Sequence, residues 1–301
     1  MTGLRDRILG TLDMTLSADI REAARLLAER RGASAVLFYG SVLRTGDMSG
    51  VLDFYVLTPG KSDGLDRVLW PHVSFAELPV GGGRIVRAKV ATMPLDIFCE
   101  AASGELVDTT IWTRFVQPSA LAFVDGWEAR HRVVDAVCAA AVTAASFAAM
   151  LGEDSGSARD YWAALFRQTY TLELRVEKPG RERQILDNNP GWFEDLLPLA
   201  WDAAGIAYDR QGDTYTPRLA VERCSALFDQ WSVRQKTGKL LNAARLVKAG
   251  FTFEGATRYA LWKIERHTGL RVNLTPWRER HPVLAAPGVL LQLWRQQTAA
   301  K

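Results

Sequence analysis

Cysteine is scarce in this chain. The 301 residues hold three, Cys99, Cys138 and Cys224, with no paired spacing, so neither a disulfide framework nor a zinc site is expected and a reducing cytoplasm is the expected compartment. Histidine is nearly as rare, with four residues, and no Cys/Asp cluster at metal-ligand spacing surrounds His72, which reads as a structural side chain. No Gly-x-Ser-x-Gly elbow, P-loop or dinucleotide fingerprint occurs, so the usual sequence signals of serine hydrolases, P-loop NTPases and nicotinamide enzymes are missing. The N-terminal segment lacks a signal-peptide apolar core, and Asp6, Asp13, Asp19 and Glu22 argue against an acid-poor transit peptide. The longest apolar stretch, Val133 to Leu151, is long enough to test as a membrane span, yet it is mostly Ala and carries Asp135, so a buried helix is expected. Repeats and low-complexity tracts are also lacking.

The length is ample for a core that buries roughly 75% of the unfolded surface, and favours about two domains. A net charge of +3 does not demand a polyanion, and no nucleic-acid partner is expected, but residues 234 to 280 hold eleven Lys/Arg against three Asp/Glu. That surplus suits phosphate or an acidic membrane surface.

Residues 17 to 30 repeat apolar positions at helical spacing and Gly32 follows as a stop. Val36 to Tyr39 and Val51 to Leu57 are short apolar runs that read as buried strands, joined by a polar loop with Gly40, Gly46 and Gly50. Gly81 to Gly83 marks a turn between a segment around Phe75 and a third strand, Arg84 to Thr92. Asp96 reads as the N-cap of a helix in preference to a further metal-site carboxylate, because Ile97, Phe98, Cys99 and Glu100 follow it, and Ala120 to Val124 reads as a strand that closes the sheet. From Trp127 the periodicity is helical almost throughout, which sets a boundary between a mixed domain, residues 1–125, and a helical domain, residues 126–301.

One residue in the second strand is out of place for a buried run: Asp53. A Gly-Ser turn after a strand, here Gly40-Ser41, offers backbone N–H groups and a hydroxyl to phosphate, and a carboxylate on the next strand can hold Mg²⁺ against it. Gly-Ser, spacer, Asp is the arrangement of the nucleotidyltransferase fold shared with DNA polymerase β. That pattern usually has a second carboxylate two residues on; Tyr55 stands there instead. Asp47 is open to two readings, second metal ligand or Asx-turn residue. Arg44, three residues past Ser41, reads equally as a triphosphate contact or an exposed loop arginine.

Tyr39-Gly40-Ser41 followed by Leu52-Asp53-Phe54 with a single Asp resembles the mitochondrial type of phosphatidate cytidylyltransferase, the translocator assembly and maintenance family. Further likenesses are Trp70-Pro-His72-Val-Ser74-Phe75, Gly83-Arg84 with Lys89 downstream, and Arg114 with Pro118. A looser one spans Arg245, Lys248, Gly250 to Phe253 and Gly255, with the Lys one position out of register. Val42 departs from a Gly in the family, and the Gly81–Gly83 loop is shorter. The resemblance covers residues 36 to 125 well, 234 to 267 loosely, and not the stretch between.

It implies an α+β chain in which CTP and phosphatidic acid give CDP-diacylglycerol and pyrophosphate, with Mg²⁺ as cofactor. Asp53 would bind the metal, Lys89 would neutralise developing charge, Tyr39, Gly40, Ser41 and Arg44 would hold the nucleotide, and Arg114, Arg245 and Lys248 the lipid phosphate. Arg245 and Lys248, three apart, share a helix face, and with Phe251, Phe253 and an amphipathic run from Val283 to Trp294 they would rest peripherally on an anionic membrane. Two alternatives stay open: the same chemistry on another phosphorylated lipid or small acceptor, and a degenerate, non-catalytic binding module.

Overall fold

The structure is a computed structural model and describes residues 3–60, 64–172, 181–268 and 275. Helix α1 (Leu4–Leu12) and helix α2 (Ala18–Arg31) come first; α2 stops at Gly32, whose φ of 58° is the left-handed C-cap the sequence called for. Strand β1 (Ala35–Tyr39), the short helix α3 (Ser41–Thr45) and strand β2 (Leu52–Thr58) follow, then β3 (His72–Val80) and β4 (Arg84–Pro94). After α4 (Leu95–Ala102) and α5 (Thr110–Phe115), β5 (Ala120–Val124) completes a five-stranded sheet in the order β3-β4-β2-β1-β5. β2 and β4 run parallel and the other neighbours antiparallel.

The strands read as continuous apolar runs because both faces of the sheet are covered. Val36, Phe38, Phe54 and Val56 pack under α2 in one core, while Ala35, Leu37, Tyr55 and Leu57 enter a second core beneath α4 and α5. Asp53 shares the second face with Tyr55 and Leu57, since side chains two apart on a strand point the same way.

Helix α6 (Gly126–Leu151) runs through the middle of that second core, packed against α1, α4, α5 and the helices that follow. By length and composition it is able to cross a membrane, yet 67% of its apolar window is buried inside the protein. Its alanines, Ala140, Ala141, Ala144, Ala145 and Ala148 among them, are wholly buried and let neighbouring helices approach closely. The chain continues through β6 (Gly156–Ser157), α7 (Ala158–Leu172), α8 (Arg181–Asp187) and α9 (Pro190–Ala204). Then comes a departure from the helical expectation: β7 (Ala207–Gln211) and β8 (Thr214–Arg218) form a hairpin on a two-residue Gly212-Asp213 turn, pinned by Trp201, Tyr208 and Tyr215. The 32-residue α10 (Val221–Thr252) and α11 (Ala256–Thr268) end the described elements.

The second core reaches from Leu4 to Trp231, so residues on both sides of position 125 share it. Asp96 is corrected: Pro94 holds the N-cap position and Asp96 lies in the first turn of α4, paired with Arg132 of α6. Its carboxylate there favours the helix N-terminus while fixing α4 to α6. Asp47 forms the Asx-turn, accepting from the Ser49 N–H at 2.9 Å, and the Ser49 hydroxyl and N–H hold its carboxyl below the ordinary range. The expected amphipathic run 283–294 lies outside the described residues.

Candidate active site

Strand pairing assembles the site. Tyr39 lies opposite Asp53, and Asp53 opposite Lys89, so three residues from β1, β2 and β4 form a row across the middle of the sheet. Beyond Tyr39 the chain turns at Gly40, where φ is 92° and ψ −159°, a region open in practice to glycine alone. A Cβ at Gly40 would also stand 2.5 Å from Asp53 Oδ2. Gly40 therefore lets the turn pass directly over the Asp53 carboxylate. Gly40→Ala is expected to destabilise the fold by about 1–3 kcal/mol from backbone strain and to displace Asp53, which denaturant unfolding together with ligand titration would measure.

Tyr39, Gly40, Ser41, Arg44, Asp53, Lys89 and Arg114 line one cavity of about 290 Å³. Seven of the nine expected site residues are thus brought together. Burial raises the Asp53 carboxyl above its ordinary range, and Lys89, then Arg114, then Arg44 pull it back in part. Among the described residues the Asp53 carboxylate has no hydrogen-bond or ion-pair partner, so its oxygens are unspent at the cavity wall. Three cations around one carboxylate make the cavity attractive to polyanions.

Tyr55 finds its role here. It is fully buried, and its hydroxyl accepts from Arg114 Nη1 at 3.0 Å. The Arg114 guanidinium also lies over the Tyr39 and Tyr55 rings, at 5.3 and 5.6 Å from their centroids. In place of a second carboxylate, the strand supplies an aromatic seat that fixes a cation. Burial pushes the Tyr55 hydroxyl above its ordinary range, which keeps it neutral.

Arg245 and Lys248 are placed elsewhere. They do share a face of α10, but that face is turned inward. Arg245 pairs with Asp108, donates to the Val68 carbonyl from Nε (3.1 Å) and Nη2 (2.9 Å), and lies 3.9 Å over the Trp70 ring. Lys248 Nζ donates to the Leu69 carbonyl at 2.8 Å. These contacts fasten α10 to the segment before β3. The same closure continues at Phe75, whose N–H donates to the Glu254 carbonyl at 2.8 Å. Gly255, with φ 78°, is required there because a Cβ would meet the Phe75 carbonyl oxygen at 2.5 Å. Two motifs far apart in sequence, around Trp70 to Phe75 and Arg245 to Gly255, therefore lie against each other.

On the other wall of the cavity, sequence reasoning singled out Pro118 but missed Gln117, Tyr170, Gln184, Ile185, Asn188 and Asn189. No spacing ties these residues together; they meet because α7 and α8 fold back over the end of α5. A larger cavity of about 670 Å³ opens between α1, α9 and the β7–β8 hairpin, but Arg7 is committed there to Asp195 at 3.1 Å and to the Trp192 ring, and none of the expected site residues lines it. Neither a family model nor a curated protein matches the chain.

Proposed function

We propose that the chain is a nucleotidyltransferase of the DNA polymerase β-like fold and that it joins CTP to phosphatidate, forming CDP-diacylglycerol and releasing pyrophosphate. The observation that carries the transferase reading is the row Tyr39–Asp53–Lys89 beneath the Gly40 turn, inside a cavity whose charged residues, among those described, are three cations and one unspent carboxylate. The sequence resemblance supplies the substrate pair.

Among the described residues no three His, Cys, Asp or Glu side chains gather as a metal cage. One unspent carboxylate suits Mg²⁺ arriving with a triphosphate, because Mg²⁺ is commonly held by one or two carboxylates plus phosphate oxygens. Asp53 would be its protein ligand. When bound, Mg²⁺ supplies positive charge that offsets the phosphate oxygens.

The chain's own part is to bind and orient. Ser41 and the turn N–H groups face the triphosphate; Lys89, Arg44 and the seated Arg114 hold its charge, and more firmly as charge shifts toward the leaving pyrophosphate. A phosphate oxygen of the acceptor bonds to the α-phosphorus while the bond from that phosphorus to the bridging oxygen breaks, and pyrophosphate departs with the electron pair. Because the attacking oxygen is already anionic, no residue need remove a proton. That accounts for a site with a single carboxylate.

Arg245 and Lys248 are engaged with Asp108 and with the Val68 and Leu69 carbonyls, which favours keeping a second acceptor in view. The test is pyrophosphate release with Mg²⁺ and CTP in the presence of phosphatidate vesicles, glycerol 3-phosphate, a sugar phosphate or no acceptor. Release with vesicles alone supports the lipid reading. Release with a soluble phosphate transfers the proposal to that acceptor, and no release under any of the four conditions leaves the chain as a binding module.

A further inference from the structure

Large apolar side chains are left in solvent mainly on one element. Ten stand exposed among the described residues, and six of them belong to α10: Val221, Phe228, Val233, Leu240, Leu246 and Val247. Single exposed apolar residues are ordinary, but six on one helix make a patch of the kind that marks an interaction surface. The inner side of the helix is already spent. Leu227, Trp231 and Arg234 are buried, and Arg245 and Lys248 hold the segment before β3.

The outer side has an order of its own. Val221 lies as far before position 234 as Val247 lies after it, and the same holds for Phe228 with Leu240 and for Asp229 with Lys239. At about 100° per residue these six sit within about 60° of one line along the helix, on the side opposite Arg234. Along that line run Ser225, Ser232 and Ala243, whose small side chains let a second backbone come close. The charges are sorted as well: Glu222 and Asp229 are exposed in the first half of the helix, Lys236 and Lys239 in the second. A helix with matching apolar residues and opposite charges about its midpoint is complementary to itself when turned end for end.

We propose that this face of α10 is the interface of a two-fold homodimer, in which the two copies of α10 pack antiparallel with the symmetry axis at the level of residue 234. Phe228 of one copy then lies level with Leu240 of its twin, Val221 with Val247, and Asp229 with Lys239, each contact occurring twice by symmetry. The strip is about 40 Å long and roughly 10–12 Å wide, so the pair buries on the order of 1,000 Å², the size at which specific interfaces begin. A dimer in the micromolar range is the expectation. Among the described residues, none that lines the Asp53 cavity belongs to α10, so this inference stands apart from the nucleotidyltransferase reading.

The experiment is sedimentation velocity on the full chain at low salt, from about 1 to about 100 μM, with wild type, Asp229→Lys, Lys239→Asp, these two changes combined, and Phe228→Ser combined with Leu240→Ser. Wild type is expected to pass from monomer to dimer over this range. The apolar double variant should weaken the dimer more than tenfold, and each single charge variant about tenfold, because two like-charge pairs replace two opposite ones. Both charge changes in one chain should restore the dimer to within about threefold of wild type. An equimolar mixture of the Asp229→Lys and Lys239→Asp proteins should do the same, since every cross pair in the mixed dimer is again opposite. A chain that stays monomeric to the top of the range overturns the proposal, whether the face is left to water or covered by residues beyond Thr268. A dimer that none of the variants weakens overturns it too, and loss without rescue in the mixture overturns the antiparallel register. The changed side chains are exposed, so circular dichroism and urea midpoints at dilution should match wild type; should the apolar double variant fail to fold, the charge exchange decides alone.

Discussion

Asp53→Asn is expected to lower turnover on the order of a thousandfold while leaving the protein, in metal-free buffer, at least as stable as wild type. The kinetic half follows from charge. Asn keeps the shape and one oxygen but not the negative charge that would hold Mg²⁺ among three cations. The stability half follows from linkage. Burial raises the folded-state value of the Asp53 carboxyl above its unfolded value, so folding favours the protonated form. The stability this group contributes is fully present below the ordinary carboxylate range and is lost as pH rises through the raised folded value. At neutral pH wild type bears a desolvation cost that the amide variant lacks. Urea unfolding across this acidic-to-neutral range should therefore show the two proteins alike at the acid end and the variant gaining as pH rises. Mg²⁺ with CTP should reverse the order by stabilising wild type alone. Near-normal turnover in the variant would falsify the metal assignment, and a loss of stability would make Asp53 a structural residue.

Much of this is legible in the sequence, for identifiable reasons. β1 and β2 show as apolar runs because both faces of the sheet are covered, and Asp53 stands out because it breaks such a run. Gly40 is legible as part of a Gly-Ser turn, although its steric requirement beneath the Asp53 carboxylate is not. Lys89 enters through resemblance; its place beside Asp53 depends on parallel pairing of β2 with β4, which no local pattern encodes. The β7–β8 hairpin escapes a sequence reading despite its Gly212-Asp213 turn, because the helical periodicity on either side dominates. The second wall of the cavity is illegible: Gln117, Tyr170 and Asn189 are polar or amphipathic residues separated by whole helices. Arg245 shows the limit in another form. Spacing puts it rightly on a face with Lys248, but a basic helix face looks the same in sequence whether it meets lipid, water or a carboxylate 137 residues earlier.

That carboxylate leads to the second large effect. Arg245→Gln is expected to destabilise the fold by about 3 kcal/mol, seen as a shift of the urea midpoint with unchanged slope. Asp108 is 4% exposed and the Arg245 side chain 12%, so removing the guanidinium strands a buried carboxylate. Thr110 still supplies its N–H at 2.7 Å and its hydroxyl at 3.1 Å, which places the cost at the low end for a broken buried pair. The guanidinium's contact with Trp70 and its two bonds to Val68 go as well, loosening α10 from the segment before β3. Adding Asp108→Asn to Arg245→Gln should recover part of the loss, because two neutral amides leave no unpaired charge; the double-mutant cycle then reports a coupling of the ion pair itself. Lys248→Gln, which gives up a bond to the Leu69 carbonyl, should cost less than Arg245→Gln. A lipid-phosphate role predicts the reverse pattern: Arg245→Gln with normal urea stability but weaker flotation on phosphatidate vesicles at low salt, where each basic residue at an anionic surface contributes about 1 kcal/mol. Stability loss that Asp108→Asn relieves assigns Arg245 to the closure of α10 over β3, and the membrane contact, if the acceptor is a lipid, must then be made by other residues.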